Sequence, residues 1–168
     1  MSKLDGPFVQ QGYIVSDIDA AMQHWIARGV GAFYIEKHIS PPCEINGVKA
    51  EVDISAAFTY SGDQQIQVIV NHNDVPTLYK QYLDKRPEGG LQNLAVWCDN
   101  IDKKLAEIGD DWVVQQRYGD GHTYLDNKKA TGTMIHLAHG KAIDFMFEFI
   151  REGADTWDGV TDPVRTID

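Results

Sequence analysis

One local pattern occurs twice in this chain and limits what it can fold into. Val15-Ser16-Asp17-Ile18-Asp19 closes one apolar run and opens an amphipathic one. Cys98-Asp99-Asn100-Ile101-Asp102 does the same after an offset of 83 residues, about half of the 168-residue chain. Both stretches read as strand end, cap, polar residue, Ile and Asp. Two copies at so long a period indicate a duplicated module and not a solenoid, whose short repeats recur many times.

The rest of the chain supports the duplication. Phe8 to Val15 is rich in β-branched and aromatic residues and has strand length. Ser16 offers an N-cap with Asp19 as the acid of a capping box. Ile18, Met22, Trp25 and Ile26 follow at helical spacing, and Gly29 suits a helix end. Ala32 to His38, Val52 to Tyr60 and Gln64 to Val70 read as three strands, the last two joined by Ser61-Gly62-Asp63. A helix from Pro76 to Lys85 precedes the linker Glu88-Gly89-Gly90. The second half then gives a strand at Leu94 to Cys98, an Asp99 cap and a helix from Ile101 to Ile108. Strands follow at Trp112 to Arg117, His122 to Leu125 and Thr133 to Ala138. Thr59-Tyr60 and Thr123-Tyr124 look like counterparts. Last comes an amphipathic helix over Lys141 to Trp157, whose stripe of Ile143, Phe147, Ile150 and Ala154 packs on the sheets or on a second subunit. The expected architecture is α+β. A single 168-residue domain holds a βαβββ module over 8–88, a second over 89–140, and a C-terminal helix and tail over 141–168.

Composition excludes several function classes. A net charge of −10 argues against nucleic acid and anionic membranes as partners, because phosphate binding needs a basic face. No apolar run approaches the roughly 20 residues that span a bilayer. The opening Met1 to Pro7 has no apolar stretch of the signal-peptide kind. Two cysteines, Cys43 and Cys98, make neither a disulfide framework nor a zinc ribbon. A cytoplasmic setting is the expectation.

The doubled strand-helix-three-strand unit resembles the vicinal oxygen chelate superfamily. That superfamily includes glyoxalase I, methylmalonyl-CoA epimerase, extradiol dioxygenases, and bleomycin and fosfomycin resistance proteins. The resemblance is carried by Gly12-Tyr13-Ile14-Val15-Ser16-Asp17-Ile18-Asp19-Ala20-Ala21 and by Gly89-Gly90-Leu91-Gln92-Asn93-Leu94-Ala95-Val96 with Asp99 to Asp102. Tyr124-Leu125-Asp126 and Gly132-Thr133-Met134-Ile135-His136-Leu137 add to it. Trp157-Asp158-Gly159 and Asp162-Pro163-Val164-Arg165 are similar to the tail of a glyoxalase-like bacterial branch. It implies two half-barrels around a pocket, with four inward strand positions that usually hold a divalent metal.

Carried over residue by residue, those positions fall at Gln10, Gln67, Asn93 and His136. The family most often has His at the third and Glu at the fourth. A slipped alignment would put the fourth at Glu148, but the Gly132-Thr133 lead-in favours His136. Three amides and one imidazole, with no carboxylate, are weak ligands for Zn²⁺ or Ni²⁺. The expectation is therefore a site without metal. Should a divalent ion (Ni, Zn, Mn or Fe) bind, these four residues would hold it.

His136 is the candidate acid or base, since unperturbed imidazole titrates near 6.5. Gln10, Gln67 and Asn93 are candidate hydrogen-bonders to a substrate oxygen, though amides inside a barrel also satisfy one another. Trp97 alternates with Asn93 and Ala95 and would line the pocket, and Tyr124 would face the ligand. His72 is placed at the pocket mouth, and His139 points away from His136. The resemblance implies a homodimeric small-molecule enzyme of the lactoylglutathione lyase or epimerase type, a lyase or isomerase moving a proton next to a carbonyl. The alternative is a non-catalytic binder of the bleomycin-resistance type, its acidic surface drawing in a cationic drug.

Overall fold

The computed structural model describes residues 6–129 and 132–167. In the first half, β1 (Gln10–Ile14) leads into α1 (Ile18–Ile26) and β2 (Phe33–Ile39). A short hairpin of β3 (Cys43–Ile45) and β4 (Val48–Ala50) follows, then β5 (Ile54–Ser61), β6 (Gln64–Asn71) and α2 (Leu78–Lys85). The second half runs β7 (Gly90–Trp97), α3 (Ile101–Ile108), β8 (Trp112–Tyr118), β9 (His122–Asn127) and β10 (Met134–Ala138). The tail is α4 (Lys141–Asp155) and β11 (Val164–Thr166).

All strands join one sheet in the order β11-β2-β5-β6-β1-β7-β10-β9-β8-β3-β4. The duplication is visible in this order. β1 is parallel to β6 as β7 is to β10, and β1 and β7 meet antiparallel at the centre. Gly12 opposes Gln67, and Ala95 opposes His136, so the register repeats as well. The same register pairs Phe58 with Gln67 and Tyr124 with His136. Tyr124 is therefore the counterpart of Phe58, two residues from the Tyr60 expected from sequence.

Both helix caps lie one residue later than the sequence suggested. Asp17 caps α1 by accepting from the Ala20 amide, and Asn100 caps α3 by accepting from the Lys103 amide. Each is the residue directly before the first helical Ile, where an extended backbone lets a short acceptor reach the third amide on.

The two outer helices cover the convex side of the sheet. α1 seats Met22 on Phe33, Ile35, Ala57 and Val68, and α3 seats Ile101 and Ile108 on Val96, Leu125, Ile135 and Leu137. The other two helices roof the concave side. α2 brings Leu78 and Tyr79 down on Ile14 and Ile69, while α4 brings Phe147 and Ile150. Of the two expectations for the α4 stripe, packing on the sheet is met within one chain. This double cover explains why β5 and β6 are almost continuously buried, where a one-sided sheet would alternate between buried and exposed.

The β3–β4 hairpin was not foreseen. Its Asn46-Gly47 turn takes left-handed backbone at both residues, as a two-residue hairpin demands. β3 leaves the first module and pairs with β8 of the second. β11 covers the opposite edge by pairing with β2.

Candidate functional site

Register determines which side chains enter the concave face. Gln10 opposes Ala95, Ala95 opposes His136, and His136 opposes Tyr124. Gln10, Ala95, His136 and Tyr124 therefore lie side by side, with Ala95 small enough for Gln10 to reach across. A cavity of about 490 Å³ opens over them, between α2 and α4. Gln67, Phe58, Tyr79, Tyr118, His122 and Phe147 also line it.

A single hydrogen-bonded chain runs from Tyr60 to the cavity wall at His136 and His122. Gln65 Nε2 donates to the Tyr60 hydroxyl at 3.1 Å. Gln10 Nε2 donates to Gln65 Oε1. Gln10 Oε1 is left as the acceptor facing His136 Nδ1 at 3.3 Å. His136 Nε2 lies 2.9 Å from His122 Nδ1. The direction follows from the donor and acceptor inventory. Because Gln10 spends its amino group on Gln65, His136 carries its proton on Nδ1, and its Nε2 accepts from His122. The nitrogen left without a proton is Nε2 of His122.

Burial sets the protonation of this pair. His136 is 2% exposed and stacks on Tyr124 with ring centroids 4.3 Å apart. Desolvation, then the neighbouring His122, holds its pKa well below the ordinary imidazole value. Desolvation lowers His122 to about 4. Both rings are neutral at pH 7. Across the cavity stands Glu36, on the far wall from β2, with its carboxyl pKa raised by burial. The sequence reading passed over Glu36. The signal was its alternation with Tyr34, but β2 has a register shift after Glu36 that masks the period.

The other expected residues are distributed differently. Gln67 lines the cavity, and its buried Oε1 has no partner among the described residues. Asn93 is buried on the same face but is not in the cavity wall. A bulge in β7 sets it beside Gln92, to which it donates at 2.9 Å, and Gln92 reaches up to the Leu78 carbonyl in α2. Trp97 packs under α4 against Phe147 and donates to Asp144, outside the cavity. His72 lies away from the cavity mouth, on the outer side of the sheet with its Nε2 against Ser55. His139 faces the Cys98 carbonyl, and Glu148 is exposed on α4.

The four positions carried over from the resemblance are not brought together as one set. Both nitrogens of His136 are engaged, Gln10 Oε1 already accepts a proton, and Asn93 stands outside the cavity. No carboxylate stands among the four positions.

Beyond the geometry, a family model for the Glyoxalase/Bleomycin resistance protein/Dioxygenase superfamily matches residues 9–125. The chain belongs to this superfamily. The methylmalonyl-CoA epimerase of Mycobacterium tuberculosis is similar in fold, at a TM-score of 0.51 and 18% identity, over 81% of this chain and 89% of that one. A hypothetical protein from Bacillus halodurans C-125 gives a TM-score of 0.56 at 14% identity, over 82% and 96% of the two chains. A Streptomyces coelicolor methylmalonyl-CoA epimerase variant, in complex with 2-nitronate-propionyl-CoA, gives 0.50 at 17% identity, over 82% and 96%. No curated protein matches the chain. At such identities the likeness covers the fold, and the chemistry has to be read from the cavity.

Proposed function

We propose that this superfamily member is a small-molecule enzyme that moves a proton next to a carbonyl, as an isomerase or lyase, without a metal. One observation carries the reading. The cavity has an unprotonated imidazole nitrogen on one wall and a carboxyl group of raised pKa on the other. The first is free to accept a proton at neutral pH, and the second holds its proton more tightly than an ordinary carboxyl. His122 takes the proton from carbon through Nε2. Its Nδ1–H stays donated to Nε2 of His136, which the Gln10–Gln65–Tyr60 chain holds in one tautomer. Gln67, which lines the cavity and whose Oε1 has no partner among the described residues, donates through Nε2 to the carbonyl oxygen as charge builds there. Glu36, whose carboxyl burial pushes toward the protonated form, returns a proton from the other side. His136, the base expected from sequence, becomes the group that orients the base.

No Lys or Arg among the described residues lines the cavity, so the buried part of the substrate carries no phosphate. The solved epimerase relative with a propionyl-CoA analogue leaves open a thioester whose phosphates stay outside. The acidic chain and the ring of Phe58, Tyr79, Tyr118, Tyr124 and Phe147 beside Glu36 favour a second reading, a binder of cationic drugs.

The test is incorporation of solvent deuterium into a panel of 2-substituted carbonyl compounds, followed by NMR. The native chain exchanges at least one of them, and His122→Gln slows it about 100-fold or more. Unchanged exchange in both His122→Gln and His136→Ala overturns the mechanism. Tight binding of a cationic antibiotic, recovered unaltered and with no exchange in the panel, favours the second reading. Elemental analysis of the untagged protein tests the metal-free part, since a chelator-sensitive ion bound through His136 would sink it.

A further inference from the structure

On the convex side of the sheet, behind the cavity wall, His38 of β2, Asp53 just before β5 and His72 just after β6 come together. We propose that they form a binding site for a first-row divalent cation, Zn²⁺ in the first place. One ligand atom from each lies within 4.8 Å of the other two. His38 Nδ1 is 3.0 Å from Asp53 Oδ1 and 3.2 Å from Oδ2. The two imidazoles stack with centroids 4.1 Å apart. Two imidazoles and one carboxylate are the donor types Zn²⁺ takes in open three-ligand sites.

The backbone is shaped around this cluster. β2 carries a register shift between Glu36 and Ile39, and His38 in that bulge takes φ 51°. Left-handed backbone is costly for a residue other than glycine, and outliers of this kind gather at functional positions. Here the bulge turns the His38 ring toward Asp53. Its amide is tied down by Ser55 Oγ at 3.0 Å. The same hydroxyl lies 2.7 Å from His72 Nε2. With Nε2 held by Ser55, Nδ1 is the nitrogen His72 has left for a cation. Metal-binding histidines are ordinarily oriented in this way, through an oxygen on the other ring nitrogen. Ligands about 2.0 Å from Zn²⁺ must close up by roughly an ångström from the present spacing. His38 is 65% exposed in its side chain and can rotate to do so.

The bound ion would tie three strands together behind the cavity wall, since Glu36, Ile39 and Ile54 on the adjoining positions line the cavity from the other face. The site is independent of the proposed reaction, and its test does not use activity. Full-length protein without a histidine tag is titrated with Zn²⁺ against a chromogenic chelator, alongside melting curves. The expected result is one equivalent bound and a rise in melting temperature. His38→Asn, which tolerates the left-handed backbone, and His72→Gln each weaken binding about tenfold or more and abolish the rise. His122→Gln leaves both unchanged. No competition with the chelator, equal affinity in the His38 and His72 variants, or loss of binding only when His122 or His136 is replaced would overturn the proposal.

Discussion

At the scale of single residues, two glutamines that look equivalent in sequence have opposite roles. Gln10 is a link between Gln65 and His136, while Gln67 Oε1 has no partner among the described residues. Removing a link in a buried chain orphans its neighbours, at about 1–3 kcal/mol for each. Gln10→Leu is therefore expected to cost about 2 kcal/mol or more, and Gln67→Leu to stay within about 1 kcal/mol of the native chain. Urea unfolding midpoints check this, and equal losses would dissolve the distinction. The histidine pair gives a pH prediction. Folded His122 titrates at about 4, below the ordinary 6.5, so the unfolded chain binds a proton that the folded one refuses between those values. Stability is full above about pH 6.5 and falls as the pH drops toward 4. His136, Gln10 and Tyr124 surround the pair and bring no fixed charge. His122→Gln should lose about 4 °C less melting temperature than the native chain between pH 7 and 4.5. Parallel curves would refute the assignment.

At the scale of elements, glycine placement shows how sequence propensity and packing conflict. Gly153 sits inside α4, where glycine costs a helix about 1 kcal/mol relative to alanine. A methyl group there would overlap the Tyr34 hydroxyl and ring. Gly153→Ala, ordinarily stabilising, is expected to destabilise by about 1–3 kcal/mol, because α4 would have to lift from β2. Calorimetry reads this directly, and a gain in stability would mean that α4 is loosely seated. Gly12 has the same logic in β1, where the Asn93 amide occupies the space of a side chain. The elements themselves were largely legible. Strongly periodic runs such as α3, and β-branched runs such as β6, declare their type locally. The β3–β4 hairpin had a legible turn in Asn46-Gly47, but its strands are three residues each, too short for alternation to show. β11 is equally short and owes its conformation to the edge of β2.

At the scale of the whole molecule, the two modules are one sheet, closed over by helices on both faces. The tail helix leaves Phe145 outside, 76% exposed, on the side away from the Phe147–Ile150 seam. A homodimer that covers this face is the expected assembly. Light scattering should give twice the chain mass for the native protein and the single-chain mass for Phe145→Glu, with little change in melting temperature. A native monomer would end that expectation.

The sequence alone determined the duplicated module and most of its strands and helices, because these depend on local periodicity and on the offset between the halves, while the resemblance to the superfamily supplied the four inward positions. The tertiary structure decided what those positions do. Whether Gln10 meets a substrate or His136, whether Asn93 reaches the cavity or is tied beneath α2, and whether Glu36 shares a cavity with His122 depend on register, bulges and curl of the sheet. Those are set by contacts between residues far apart in the chain, and a one-residue change of register would send each side chain to the other face.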